Sequence, residues 1–126
     1  MYLIDSNIFL EVLLEQEKSN QVKKFIISAS LNDLFISNFS LHSICIVLLK
    51  ENQTAKLVLF LNEAIKGKIK VLSVETNLLD IVVNNANKFN LDFDDAYQYT
   101  AAKTYNLQLV SFDKDFDKTD IKRIEP

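Results

Sequence analysis

Met1-Tyr2-Leu3-Ile4-Asp5-Ser6-Asn7-Ile8-Phe9 decides how the rest of the chain reads. A short apolar run stops on an acid, and from Asn7 to about Leu14 the spacing becomes helical at Ile8, Phe9, Val12 and Leu13, with Ser6 placed to cap it. A buried strand at 2–5 leading into a helix is the first unit of an α/β fold. The same alternation continues outward. Leu34-Phe35-Ile36-Ser37, Ile69-Lys70-Val71-Leu72 and Leu107-Gln108-Leu109-Val110-Ser111 read as strands, and Ile121 to Ile124 as a final edge strand.

Helical runs lie between them. One covers about 19–30 through Val22, Phe25, Ile26 and Ala29, and another follows Ser40, its cap, with Ile44, Val47 and Leu48 on one side. Thr54 starts a third, striped by Leu57, Val58, Leu61 and Ile65, and Gly67 is expected to end it in the left-handed conformation. Thr76 to Lys88 and Asp94 to Tyr105 complete the set. Strands separated by helices imply right-handed crossovers and a parallel sheet. The expected architecture is one α/β domain over 1–126, a three-layer α/β/α sandwich with a central parallel sheet.

Composition narrows the function classes. At 126 residues the chain can bury a real core, and its single glycine and single proline argue against a turn-rich β sandwich. With 14 basic and 17 acidic residues the net charge is −3, so a broad cationic surface for nucleic acid is not implied. Cys45 has no partner for a disulfide and reads as a small buried apolar residue. No apolar stretch reaches the roughly 18–20 residues that span a bilayer, and Asp5 interrupts any leader-like run, so a cytoplasmic protein without a membrane partner is expected.

Acids sit where such a sheet collects its active site, beyond the carboxyl ends of the strands. Asp5 ends the first strand, Asp113 and Asp115 follow a late one, and Asp94-Asp95 opens a helix. Taken singly, each has an ordinary explanation: a strand stop, acids favoured in a first helical turn, or a solvated acidic loop running to Asp117 and Asp120. Taken together, convergent carboxylates repel one another and call for a multivalent cation, which points to hydrolysis of phosphodiesters. Tyr97, Tyr99 and Tyr105 are expected to pack or to line the domain surface; Lys50, Lys103, Lys114 and Arg123 could meet phosphates, though their spacing selects none of them.

Three motifs carry a family resemblance that spans nearly the whole chain in order. Ile4-Asp5-Ser6-Asn7 resembles the opening of PIN domains, Asp94-Asp95-Ala96-Tyr97 with Thr100-Ala101-Ala102 resembles their aspartate–alanine helix, and Val110-Ser111-Phe112-Asp113-Lys114-Asp115-Phe116 is similar to their late strand-end motif. The resemblance implies a PIN-like fold and a small endoribonuclease of the kind found as the toxin of VapBC-type toxin–antitoxin pairs. It implies Mg²⁺ or Mn²⁺ held by Asp5, Asp95 and Asp113, with Asp115 an auxiliary acid and Ser6, Asn7 and Ser111 as supporting polar groups. RNA would be the substrate, a small antitoxin the partner, and a homodimer is possible through the helices at about 19–30 and 54–66.

One position departs from the pattern. Where the family has a glutamate early in the helix after the second strand, this chain reads Leu41-His42-Ser43-Ile44, within a Phe-Ser-Leu-His-Ser form read as a subgroup feature, and Ser43 takes the expected place. His42 could contact metal or phosphate instead, Glu11 could reach across, or the protein could be a weakened or inactive PIN-like module that binds RNA or a partner without cutting it. A phosphatase or receiver fares worse: Asn7 stands where a dehalogenase-like phosphatase needs its second aspartate, and no receiver arrangement of phosphoacceptor and lysine is visible.

Overall fold

The computed structural model describes residues 1–126. Four short strands, β1 (Tyr2–Ile4), β2 (Leu34–Ser37), β3 (Lys70–Leu72) and β4 (Gln108–Val110), form one sheet in the order β3-β2-β1-β4, with every pairing parallel. Helices α1 (Ser6–Leu13) and α2 (Ser19–Ser28) connect β1 to β2, α3 (Asn38–Lys50) and α4 (Thr54–Phe60) connect β2 to β3, and α5 (Leu79–Phe89) and α6 (Phe93–Thr104) connect β3 to β4.

Alternation along the strands divides the core in two. Leu3, Leu72 and Leu109 pack with Val82, Leu91 and the buried run of α6 on one face. Ile4, Leu34, Ile36 and Val110 pack with Ile8, Val22, Ile44, Leu48 and Phe60 on the other. Helices thus cover both faces, which is the expected α/β/α sandwich. The first two crossovers step β1 to β2 to β3 in one direction, and the third returns past β1 to β4 on the opposite side. The carboxyl ends of β1 and β4 therefore flank the point where the winding reverses, the usual location of a binding crevice.

Several local expectations change. Asp5, not Ser6, caps α1: its backbone is still extended and its carboxylate accepts the Ser6 N–H. Ser37, not Ser40, caps α3, because the last strand residue already holds the cap geometry and Ser37 Oγ accepts from Ser40 N at 3.0 Å. Gly67 is not left-handed; α4 instead widens into a π turn, Leu61–Ile65, closed by Lys66 N donating to Leu61 O. Left-handed residues follow other helices, at Glu15, Asn52, Asn90 and Asn106. Asparagine tolerates that conformation better than other side chains, and in a chain with one glycine it takes over the role.

On α4 it is Leu57 and Phe60 that are buried, while Val58 and Leu59 face outward with Ile27 of α2. The proposed edge strand at Ile121–Ile124 reduces to one bridge between Val110 and Ile124. At that bridge Ile124 accepts from Ser111 N and donates to Leu109 O, and beside it the Arg123 side chain bonds Ser111 O, Asp117 and Glu125.

Phe116 is fully buried within the turn that carries the late acids. Phe116→Ala is expected to lower unfolding stability by about 3–5 kcal/mol, read as a reduced urea midpoint.

Candidate active site

Strand register builds the floor of the site. Leu3 pairs with Phe35 and Leu109 with Leu3, so two positions further on Asp5, Ser37 and Ser111 lie in one row across the carboxyl edge. Side chains alternate, so all three share the face of Leu3, Phe35 and Leu109, the side covered by α6.

Asp5 is 8% exposed and its carboxylate is held from several directions. Oδ1 accepts from Ser6 N at 2.8 Å, while Oδ2 accepts from Asn7 Nδ2 at 3.0 Å and from Ser111 Oγ at 2.7 Å. Ser111 Oγ in turn accepts from Asn7 Nδ2 and from Asp113 N, each at 3.0 Å. Asn7 Oδ1 accepts from Phe112 N at 3.3 Å. Ser6, Asn7 and Ser111 therefore join the first and last strands into one hydrogen-bonded unit around Asp5.

The other acids come from the loop after β4 and the start of α6. Asp113 caps a 3₁₀ turn, Lys114–Lys118, accepting from Asp115 N at 2.8 Å. Asp92, Asp94 and Asp95 open α6. Carboxylate oxygens of Asp95, Asp113 and Asp115 lie within 4.8 Å of one another, as do those of Asp92, Asp94 and Asp95. Asp5, expected as a ligand alongside Asp95 and Asp113, is in neither group, though its charge interacts with those of Asp113, Asp94 and Asp95.

Crowding is visible in the protonation of these groups. Burial raises the Asp5 pKa above its ordinary value; the Ser111 and Ser6 hydrogen bonds oppose this, and the charges of Asp113 and Asp94 add to it. Asp95 is pushed up to about 7, first by burial and then by Asp113, Asp94, Asp5 and Asp115. No cation from the protein answers this charge at Asp95. Lys118 pairs with Asp115 at 3.3 Å, whereas Arg123, with a side chain 9% exposed, is committed to Asp117, Glu125 and Ser111 O. Lys103 is engaged with Asp120, which also accepts from Tyr99.

The profile of the PIN domain family matches residues 2–122. This chain belongs to the PIN domain family. No curated protein matches it. Among solved PIN-like structures, VapC20 of Mycobacterium tuberculosis, described as a sarcin–ricin loop cleaving toxin, aligns over 100% of both chains at 15% identity with a TM-score of 0.83. A toxin–antitoxin complex from Klebsiella pneumoniae aligns over 100% of both chains at 16% identity and TM-score 0.77. FitAcB from Neisseria gonorrhoeae aligns over 98% of this chain and 96% of its own at 21% identity and TM-score 0.75. At these identities the likeness is one of fold.

The position expected to carry the PIN glutamate contributes no acid. Ser43 and the exposed His42 line a shallow groove on α3 with Phe39 and Ile46, and neither belongs to the groups of clustered acids. Glu11 does not reach across either. Its Oε2 accepts from Lys18 N at 3.0 Å, which ties α1 to the start of α2. Two contributors were not singled out by the sequence reading. Asp92 could have been found from its place just before Phe93-Asp94-Asp95; Gln98, buried at 3% exposure, signals itself only as an amide inside the small-and-aromatic run Ala96–Ala102.

In the fold Asp95 keeps its proton up to about pH 7, while in the unfolded chain it ionises near its ordinary value of 3.8. Its contribution to stability is complete below the lower value and is lost as pH rises through the higher one. The metal-free protein is therefore expected to lose thermal stability between pH 5 and 7.5, with a shallower fall in Asp95→Asn. Identical slopes in melting curves of the two proteins would refute this assignment.

Proposed function

We propose that this PIN domain is a divalent-metal-dependent endoribonuclease, the toxin of a toxin–antitoxin pair. The observation that carries the reading is the gathering of Asp95, Asp113 and Asp115 within 4.8 Å of one another, beside a buried Asp5, with Asp95 pushed up to about 7. Such a set is poorly stable as free anions and suited to a cation. Its donors are all oxygens, the preference of Mg²⁺ and Mn²⁺.

Asp5, Asp95 and Asp113 would hold the metal, with Asp115 as an auxiliary acid and Asp94 adding to the local negative field. A bound cation would supply charge stabilisation at a phosphodiester oxygen and a more acidic water. The chain's own part is to hold the acids in place. Ser111 and Asn7 fix Oδ2 of Asp5 and leave its Oδ1 bonded only to the Ser6 N–H. Ser111 also accepts from Asp113 N, so the two strand-end acids move as one body. Asp113 orders the turn that carries Asp115, and buried Phe116 anchors that turn in the core.

RNA as the substrate and a protein antitoxin as the partner are supported by the family and by the toxin and toxin–antitoxin structures that share the fold. Outward-facing Ile46, Leu49, Val58 and Leu59 on α3 and α4 offer apolar surface for a protein partner. A second reading has its own support: a serine stands where the glutamate is expected and His42 is in neither group of clustered acids, so a PIN module that binds RNA or a partner without cutting it is the alternative.

Purified protein is expected to cut single-stranded RNA with Mg²⁺ or Mn²⁺ and to stop with EDTA. Asp5→Asn and Asp113→Asn are expected to reduce the rate at least 100-fold, whereas His42→Ala stays within about threefold, since His42 lies outside the acid cluster. Wild type as inert as Asp5→Asn on varied RNAs with either metal would hand the lead to the binding module.

A further inference from the structure

Ser37 and Gln98, 61 residues apart, meet in the interior, where Ser37 Oγ donates to Gln98 Oε1 and accepts from Ser40 N. Ser37 is wholly buried and Gln98 is 3% exposed. The other half of the amide is unspent, because Gln98 Nε2 is buried with no hydrogen-bond partner. A buried donor left unpaired costs the fold stability; a near-isosteric apolar side chain would remove that donor but would also take away the acceptor for Ser37 Oγ. Such an exception in a packed core asks for a reason.

Its location supplies one. Ser37 belongs to the row that contains Asp5 and Ser111, on the face that α6 covers. Gln98 reaches this row from α6, and Asp95 and Asp94 precede it by three and four residues, on the same side of the helix. The amide is thus attached to the floor of the acid cluster through one atom, with the other free. Ser43, at the place where a glutamate is expected, brings no further group to the cluster.

We propose that Gln98 is a positioning residue for the metal site: anchored to Ser37 through Oε1, it sets the first turn of α6 over the acid row and keeps Nε2 as a hydrogen-bond donor for the carboxylates when they hold a cation. This rests on the metal-dependent reading given above. A neutral donor at this point steadies the acids without adding a negative charge to an already crowded site. Orientation of ligands by neighbouring hydrogen bonds commonly governs metal affinity.

The test is Mn²⁺ binding by calorimetry to wild type, Gln98→Met and Gln98→Leu, with thermal melting of each metal-free protein alongside. Affinity is expected to fall about tenfold or more in both variants, the usual effect of losing a group that supports a ligand, while the metal-free melting temperature stays near that of wild type, since the unpaired Nε2 and the Ser37 bond are lost together. A merely structural role would give the reverse, a lower melting temperature at unchanged affinity, and would overturn the proposal. In wild type, the Gln98 side-chain amide signals, identified by their loss in Gln98→Met, are expected to shift when Mg²⁺ is added; signals that stay fixed while the metal binds would also overturn it. Wild-type protein that takes up no Mn²⁺ sinks the metal-dependent reading itself, and the proposal with it, before any variant is compared.

Discussion

Repulsion among carboxylates is the force that the rest of this structure is arranged to contain. Asp5, Asp94, Asp95, Asp113 and Asp115 come from three distant segments and are brought to one edge of a small sheet. Only the Lys118–Asp115 ion pair and the start of α6 offset that repulsion; hydrophobic burial on both sheet faces supplies the drive, and the acids are carried along by the strands and helices they terminate. Hydrogen bonds from Ser6, Asn7 and Ser111 then limit the penalty at Asp5, where burial is deepest. Asp95 has no comparable set of donors, and burial with the surrounding acids pushes it up to about 7.

That contrast separates two kinds of acid within one cluster. Asp5 is a built-in element of the β1–β4 junction, tied to the backbone and to a serine from the last strand. Asp95 and Asp115 sit at the rim, on a helix start and a short turn, where side chains can respond to what binds. A rigid acid at the floor with acids on a helix start and a short turn above it is the arrangement that the proposed metal site would use.

Much of this was legible in the sequence, for a physical reason. Asp5 and Asp113 each follow an apolar run, and Asp95 opens a helix, so local patterning already puts acids at element ends facing one edge. Strand order was not legible, because pairing of β1 with both β2 and β4 depends on packing far along the chain. Caps shifted from Ser6 to Asp5 and from Ser40 to Ser37, since the residue that leaves the strand already has the required backbone. A left-handed helix end was sought at Gly67, after α4, but left-handed asparagines follow α3, α5 and α6 instead, at Asn52, Asn90 and Asn106, which look like ordinary surface polar residues. Gln98 was invisible for the same reason: nothing local says that an amide in mid-helix is buried against the end of β2.

Parallel pairing of β1 with β4 also sets a timetable. Asp5 is synthesised well before the serine that holds it, which stands 106 positions later. Until β4 emerges, β1 lacks one neighbour, Asp5 lacks Ser111, and Asp113 and Asp115 do not exist. A growing chain therefore carries no assembled acid cluster at any stage before its last strand, and whatever chemistry the cluster performs begins only once nearly the whole domain is free to fold.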